Sequence, residues 1–213
     1  MFEYFYNHNL RKLVVGFGSL FSNIQVAHTD PDTGTTTNIR VPIHYAPQEK
    51  FIQRLLQPSS ITPGTRIELQ VPVISFMMNS VTSDPGRRMP RIGIAPGCSD
   101  LAASSKIPVN VSFNLFVYTR HTDDMLQAVE QIMPYFVPDH IISMNMNSAE
   151  TDVQIPIIMV SNNLSERYEG DLSSRRLNIA SFQFMAKSWI FGEVKTNTTI
   201  GNINTSGTDI IFD

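Results

Sequence analysis

The sequence of 213 residues contains a single cysteine, Cys98. One thiol cannot form a disulfide within the chain, and it cannot build a zinc site from several cysteines. Because structural disulfides persist mainly in oxidising compartments, a chain without them is typical of a protein made in a reducing cytoplasm. Cys98 lies among Gly, Ser and Pro residues without a catalytic signature around it, so we interpret it as a free thiol.

Charged residues are also scarce. Lys, Arg, Asp and Glu make up 16% of the chain, against about 25% in ordinary soluble domains. The net charge is -3, so no overall positive field attracts nucleic acid. A surface poor in charge and rich in amides and hydroxyls is compatible with burial against other proteins.

Long apolar runs are missing as well. No stretch of 18 apolar residues is present, so no membrane-spanning helix is predicted. The first ten residues, MFEYFYNHNL, lack the basic region and apolar run of a signal peptide. We therefore expect no membrane partner.

The hydrophobic periodicity that is present predicts an α+β fold. Apolar residues spaced by three and four predict a helix over 8–24, which Asn7 or Asn9 would cap. A hairpin is predicted over 24–45, and a second helix over 47–57. Because the predicted strands come in neighbouring runs, we expect a largely antiparallel sheet with two or three flanking helices. The main strands are predicted at 65–78, 108–120, 153–160 and 177–191.

The composition changes in three segments. Residues 161–176 are polar and are predicted as a turn. Residues 79–106 are rich in Pro, Gly and Ser and are too long for an ordinary loop, so they predict a protruding loop or hairpin arm. Residues 192–213 are mostly Thr, Asn, Gly and Ser, which predicts an extended C-terminal tail. The predicted organisation is one α+β domain over 1–191, including the arm, followed by the tail.

The stretch YTRHTDDMLQAVEQIMPYF, residues 118–136, concentrates polar side chains that could indicate an active site. The structural interpretation makes Thr122 the N-cap of a helix and places Asp123 and Asp124 in its first turn, where the helix dipole stabilises carboxylates. Adjacent helical residues do not face each other, so the two carboxylates do not form a catalytic pair. A small hydrolase using His121 with Asp123 or Asp124 is the remote alternative. We predict no catalytic, cofactor-binding or metal site.

Basic residues cluster in two places, at Arg87, Arg88 and Arg91 and again at Arg175 and Arg176. Arginine is enriched in protein contacts and pairs bidentately with carboxylates, so these positions are candidate subunit-interface residues. Solvated loop charge and phosphate binding remain open as alternatives.

Four segments, taken in order, carry a family resemblance. They are FEYFYN, IRVPIHYAPQEKF, VYTRHTDDMLQAVEQIMPYFVP and GDLSSRRLNIASFQFMAKSWIF. Together they resemble the proximal tail sheath stabilisation proteins, or tail completion proteins, of T-even-type contractile-tailed bacteriophages. The resemblance extends from about Phe2 to Phe191. The family's type member continues into a longer C-terminal region, so contacts made by that region cannot be transferred to this chain.

The resemblance implies a structural virion protein without catalysis. Its expected place is a hexameric ring at the head-proximal end of the tail, made in the host cytoplasm, which stabilises the sheath and joins tail to neck. The expected partners are further copies of the chain, the tail terminator, the sheath protein and the neck or head-completion proteins. DNA is expected to pass through the ring without specific binding. The alternative is a tail terminator or another neck or connector ring protein. The complete set of candidate interface residues is Arg87, Arg88, Arg91, Tyr118, Arg120, Asp123, Asp124, Arg175 and Arg176.

Overall fold

A computed structural model provides the fold. It describes residues 4, 6–29, 34–50, 52, 71–88, 106–146, 152–167 and 177–191. The complete helices in these ranges are α1 (Asn9–Leu20) and α2 (Thr122–Ile132), with short 3-10 turns at Pro85–Arg87 and Met133–Tyr135. Residues 48–50 and 52 are also helical. The strands are β1 (Gln25–Thr29), β2 (Thr36–Arg40), β3 (Ile43–Tyr45), β4 (Val73–Ser83), β5 (Lys106–Thr119), β6 (Asp139–Met144), β7 (Val153–Arg167) and β8 (Leu177–Phe191).

A six-stranded sheet forms the body of the protein. Its strand order is β3-β4-β5-β8-β7-β6. The short pairing of β3 with β4 is parallel, and every other described neighbour is antiparallel. The predicted α+β class with a largely antiparallel sheet is therefore confirmed.

The main hydrophobic core lies between the sheet and the two helices. Alternate residues of β5 enter it, as the sequence predicts: Val109, Val111, Phe113, Leu115 and Val117. Phe17 of α1 stacks on Phe113 with ring centroids 4.3 Å apart. The other face of β5 and its neighbours carries a smaller cluster containing Val73, Phe116, Tyr118 and Ile179. Apolar side chains are therefore buried on both faces of the sheet at the Tyr118 end of β5.

Strands β1 and β2 form the predicted antiparallel hairpin, outside the main sheet. Two glutamines of α2 bind the backbone of β1 along the edge that β2 leaves open. Gln131 accepts a hydrogen bond from the N–H of Gln25 and donates to its carbonyl, at 3.2 and 2.6 Å. Gln127 does the same for Ala27, at 2.8 and 3.2 Å. The amide side chains therefore replace a third strand beside β1.

The ends of α1 differ from the prediction. The helix ends at Leu20, and His8, which has a positive φ of 56°, precedes it without a side-chain cap. The prediction that Asn7 or Asn9 caps the helix was wrong, because both amides bind the end of β8 instead. Asn7 donates to the carbonyl of Phe191 at 3.0 Å. Asn9, with its amide oriented to satisfy both of its polar atoms, accepts from the N–H of Phe191 at 3.0 Å.

Parts of two strands, β7 and β4, were not predicted because their residues are polar. Residues 161–167, predicted as a turn, continue β7 and pair with β8 through Arg167. Strand β6 was not predicted. Strand β4 extends to Ser83 and the turn at Pro85–Arg87 follows, so the first residues of the predicted arm complete the sheet. The rest of the arm, most of the helix predicted at 47–57 and the tail 192–213 lie outside the described residues.

Candidate functional site

The start of α2 holds the polar cluster that the sequence brought to attention. The N-cap residue is His121, in extended conformation and without a side-chain cap. The prediction that Thr122 caps the helix was wrong, since its hydroxyl accepts a hydrogen bond from the Asn178 amide at 3.1 Å. The hydroxyl of Thr119 donates to the His121 carbonyl, also at 3.1 Å. Strand side chains therefore hold the strand-to-helix junction.

The two aspartates of the first turn have different environments. Asp123 is exposed and accepts a hydrogen bond from Gln127 at 2.8 Å. Asp124 is buried, with a carboxylate oxygen 3.6 Å from the Nε2 atom of His28 on β1. Within the described ranges, no hydrogen bond or ion pair joins His121 to either carboxylate. The geometry therefore does not assemble the hydrolase site considered as the remote alternative.

Metal-ion chemistry finds no support in the described part of the chain either. No group of three or more His, Cys, Asp or Glu side chains there is placed to hold a metal ion. The described helices also include none that is both long and apolar enough to cross a membrane.

Tyr118 lies inside the fold. Its side chain is fully buried, and its hydroxyl forms a hydrogen bond with the Ser75 hydroxyl across β4 and β5, at 3.2 Å. Arg120, two residues later, is exposed, and no described residue accepts a hydrogen bond from its guanidinium. Of these two candidate contact residues, only Arg120 presents its side chain to solvent.

Arg87 is held by the end of the sheet. Its guanidinium donates to the carboxylate of Asp84 at 2.8 Å, to the carbonyl of Val109 at 3.1 Å and to the side chain of Asn110 at 2.9 Å. It also lies 5.3 Å from the centroid of the Trp189 ring, a cation–π distance. Arg87 thus connects β4, β5 and β8, which is a structural role within the subunit.

Asp84 is the partner that orients this arginine. Its carboxylate also accepts from the N–H of Gly86 and so caps the 3-10 turn. The hydrogen bond from Arg87 is the main cause that holds the pKa of Asp84 below its ordinary value, and Asn110 and the Gly86 N–H act in the same direction. The ionised carboxylate is therefore the form that the turn favours.

Of the four remaining arginine candidates, the structure describes one, Arg88. Arg88 is exposed and donates to the Ser83 hydroxyl at 2.9 Å. Arg91, Arg175 and Arg176 lie outside the described residues. All remain candidate interface residues on the basis of the sequence.

An open cleft between the ends of α1 and α2 was not predicted. Aromatic rings line it, among them Phe21, Tyr135, Phe136 and His140. The side chain of Tyr135 in this lining is 67% exposed, and Val137, which follows Phe136 in the chain, is 80% exposed. Apolar exposure on this scale is typical of surfaces that contact other proteins. The run PYFVP was a possible signal, because its apolar residues continue past the prolines that end the helix.

Comparison with known protein families assigns the chain to one of them. Residues 4–212 match the family of the T4-like virus Myoviridae tail sheath stabiliser. The chain belongs to this family. It is 32% identical over 223 aligned residues to the tail completion protein gp15 of Enterobacteria phage T4, covering 98% of this chain and 79% of that relative. Members of the tail sheath stabiliser family are structural tail proteins, so the chain is a component of the virion tail and is not an enzyme.

Proposed function

We propose that the chain forms a hexameric ring at the head-proximal end of a contractile tail. There the ring stabilises the last ring of sheath subunits and joins the tail to the neck. The observation that carries the proposal is the family match, which extends over residues 4–212. The partners that follow are further copies of the chain, the sheath protein, the tail terminator and the neck or head-completion proteins.

The surface of the subunit supports a role in assembly. The chain has little charge, and the exposed Tyr135 lines the cleft at the ends of α1 and α2, with the exposed Val137 two residues later. Subunits held together permanently bury about 2,000 Å² or more, and such contacts are rich in apolar side chains. The cleft and its surroundings are therefore candidate contacts with a neighbouring copy or with the sheath. DNA passes through the lumen of the proposed ring without specific binding.

The proposal is tested by electron cryomicroscopy of tails from the virus that encodes the chain. We expect six copies in one ring above the last sheath ring. Tails from a virus lacking the gene serve as the control and are expected to lose the sheath's stable extended state and to remain unjoined to heads. A chain that is monomeric in assembled tails, or absent from them, would contradict the proposal.

The runner-up is a tail terminator or another neck protein. The same image separates the two, because it shows whether the ring lies above the last sheath ring or level with it. The name of the T4 relative, a tail completion protein, supports a position at the end of the tail.

A further inference from the structure

Two strands of the main sheet are only partly covered by their outer neighbours. Strand β3 pairs with three residues of β4, Ile74 to Phe76. Strand β6 pairs with the first six residues of β7, up to Ile158. Within the described ranges, no strand lies against the outer edge of residues 77–83 of β4 or of residues 160–167 of β7. We call these segments the β4 edge and the β7 edge.

The two edges are complementary in position and direction. They lie on opposite sides of the sheet, because β4 and β7 are separated by β5 and β8. Every step from β4 to β7 is antiparallel, so β4 and β7 run in opposite directions. If a second copy is placed beside the first in the same orientation, the β7 edge of one and the β4 edge of the other form an antiparallel pair.

Both edges lack proline and carry few charges, and each contains one irregularity in its register, at Met78/Ser80 in β4 and at Met159/Ser161 in β7. Exposed edge strands in monomeric proteins are usually short, or protected by charged residues or proline. The β4 edge, MMNSVTS, contains no charged residue, and in the β7 edge, VSNNLSER, the charged residues are confined to the last two positions, Glu166 and Arg167. The β1 edge, in contrast, is covered within the subunit by Gln127 and Gln131.

The exposed aliphatic side chains of the two edges share one face. Val81 lies opposite Val111, and Leu164 lies opposite Ala180. Both partners point into the main core, so Val81 and Leu164 lie on the face that carries the helices. They are 39% and 46% exposed. If the edges pair so that Val81 of one copy lies opposite Leu164 of the next, the two side chains contact each other and leave water.

We propose that the β4 edge of one copy pairs with the β7 edge of the next, so that the sheets join around the ring. This inference rests on the proposed ring and names the surface that builds it. The contact is heterologous, because two different patches of the same chain meet, and such contacts generate rings or open helices.

The offset between the two edges is compatible with closure. In the register that places Val81 opposite Leu164, the edges are offset by six paired residues, because Val81 lies level with Ile157 through the strand registers and Val160 is unpaired. At about 3.4 Å per residue the offset is ~20 Å, and four strands at about 4.8 Å span ~19 Å. Together they give a strand tilt of about 47°, close to the ~35–45° of closed barrels. A tilt of this size allows the joined sheets to close into a ring.

Cysteine cross-linking in assembled tails tests the pairing. The native thiol is first removed by C98A, and V81C and L164C are then introduced singly and together. We expect the double variant to give a ladder of covalent oligomers on a non-reducing denaturing gel. Each single variant should assemble as well but run as a monomer on that gel. The combination of V81C with L126C is the matched control, since Leu126 is also exposed but lies on α2. It should give no ladder.

Different outcomes separate this inference from the proposed ring. Rings that form without a V81C–L164C cross-link overturn the edge pairing and leave the proposed function intact. Cross-linking of V81C to itself also overturns it, because that contact would be isologous. If the variants do not assemble, a map of the wild-type tail decides, by showing or lacking a continuous ladder from β4 of one copy to β7 of the next. A tail without any ring of this chain contradicts both proposals.

Discussion

The side-chain amide of Gln127 pairs with both backbone groups of Ala27, accepting from the N–H at 2.8 Å and donating to the carbonyl at 3.2 Å. Replacing Gln127 by alanine removes both hydrogen bonds, so the N–H and the carbonyl of the half-buried Ala27 have to bind water instead. We expect Q127A to lower the free energy of unfolding by about 1–2 kcal/mol, measured by urea denaturation. E130A, on the exposed side of the same helix, is the control and should change stability by less than about 0.5 kcal/mol. Equal stability of the two variants would show that the amide pairing does not contribute.

The two glycines of α1 should respond differently to alanine. A Cβ atom at Gly18 would lie 2.8 Å from the ring of Phe76, which is buried. A Cβ atom at Gly16 would meet the flexible end of Met144. Alanine gains about 1 kcal/mol of helix propensity at either position, and overpacking costs about 1–3 kcal/mol.

We therefore expect G18A to lower the melting temperature and G16A to leave it unchanged or raise it. Thermal unfolding followed by circular dichroism measures both variants. A G18A chain that melts higher than wild type would contradict the contact between α1 and β4.

Asp84 should make part of the stability depend on pH. Its pKa is lowered in the folded chain, chiefly by the Arg87 hydrogen bond. The stabilisation is therefore fully present above its unfolded pKa of about 3.9, and it is lost as the pH falls through the lower folded value. D84N should be less stable than wild type at pH 7, and the difference should shrink below about pH 4. E130Q is the control, and a D84N deficit that stays constant between pH 7 and pH 3 would count against the ionised pair.

The buried hydroxyls of Tyr118 and Ser75 should be energetically coupled. They lie 3.2 Å apart between β4 and β5. We expect Y118F and S75A to cost about 1 kcal/mol each, and the double variant to cost less than their sum because it removes the pair together. Unfolding of the four proteins of this cycle measures the coupling. Additive costs would show that the two hydroxyls act independently.

Substitutions of Arg120 and Arg87 should distinguish an effect on contacts between subunits from an effect on the stability of the subunit. Arg120 is exposed without a described partner, whereas Arg87 donates three hydrogen bonds within the fold. We expect R120A to keep the wild-type melting temperature and to weaken assembly. R87A should lower the melting temperature. Melting curves and the yield of complete tails measure the two effects. Normal assembly of R120A would remove this residue from the candidate interface.

Strongly periodic segments revealed most of the fold. Strand β8 was predicted at 177–191 and lies at Leu177–Phe191, because its apolar and aromatic residues indicate a strand before any partner is known. Residues 161–167 were missed because they are polar. Their strand conformation comes from pairing with β8, a contact between distant segments that local composition does not encode. The same reason explains why β6, which follows a proline-rich turn, was not recognised.

The secondary structure of the candidate site was predicted correctly, but its helix cap and most of its side-chain contacts were not. The interpretation of residues 118–136 as a strand followed by a helix is confirmed, although the caps differ. Arg87 was recognised as basic, but two of its contacts, with Asn110 and with the Trp189 ring, are made to the distant strands β5 and β8. The open edges of β4 and β7 depend on where the neighbouring strands stop, which no single segment reveals.

The uninterrupted register of β5 and β8 gives the protein a mechanical direction. From Lys106 to Thr119, each residue of β5 faces a residue of β8 without a shift. A force along these strands loads all the cross-strand hydrogen bonds together, whereas a force across them opens the bonds one after another. The subunit should therefore resist shear along its strands far better than peeling across them. When a sheath shortens, the orientation of these strands relative to the tail axis determines how much pull the subunit withstands.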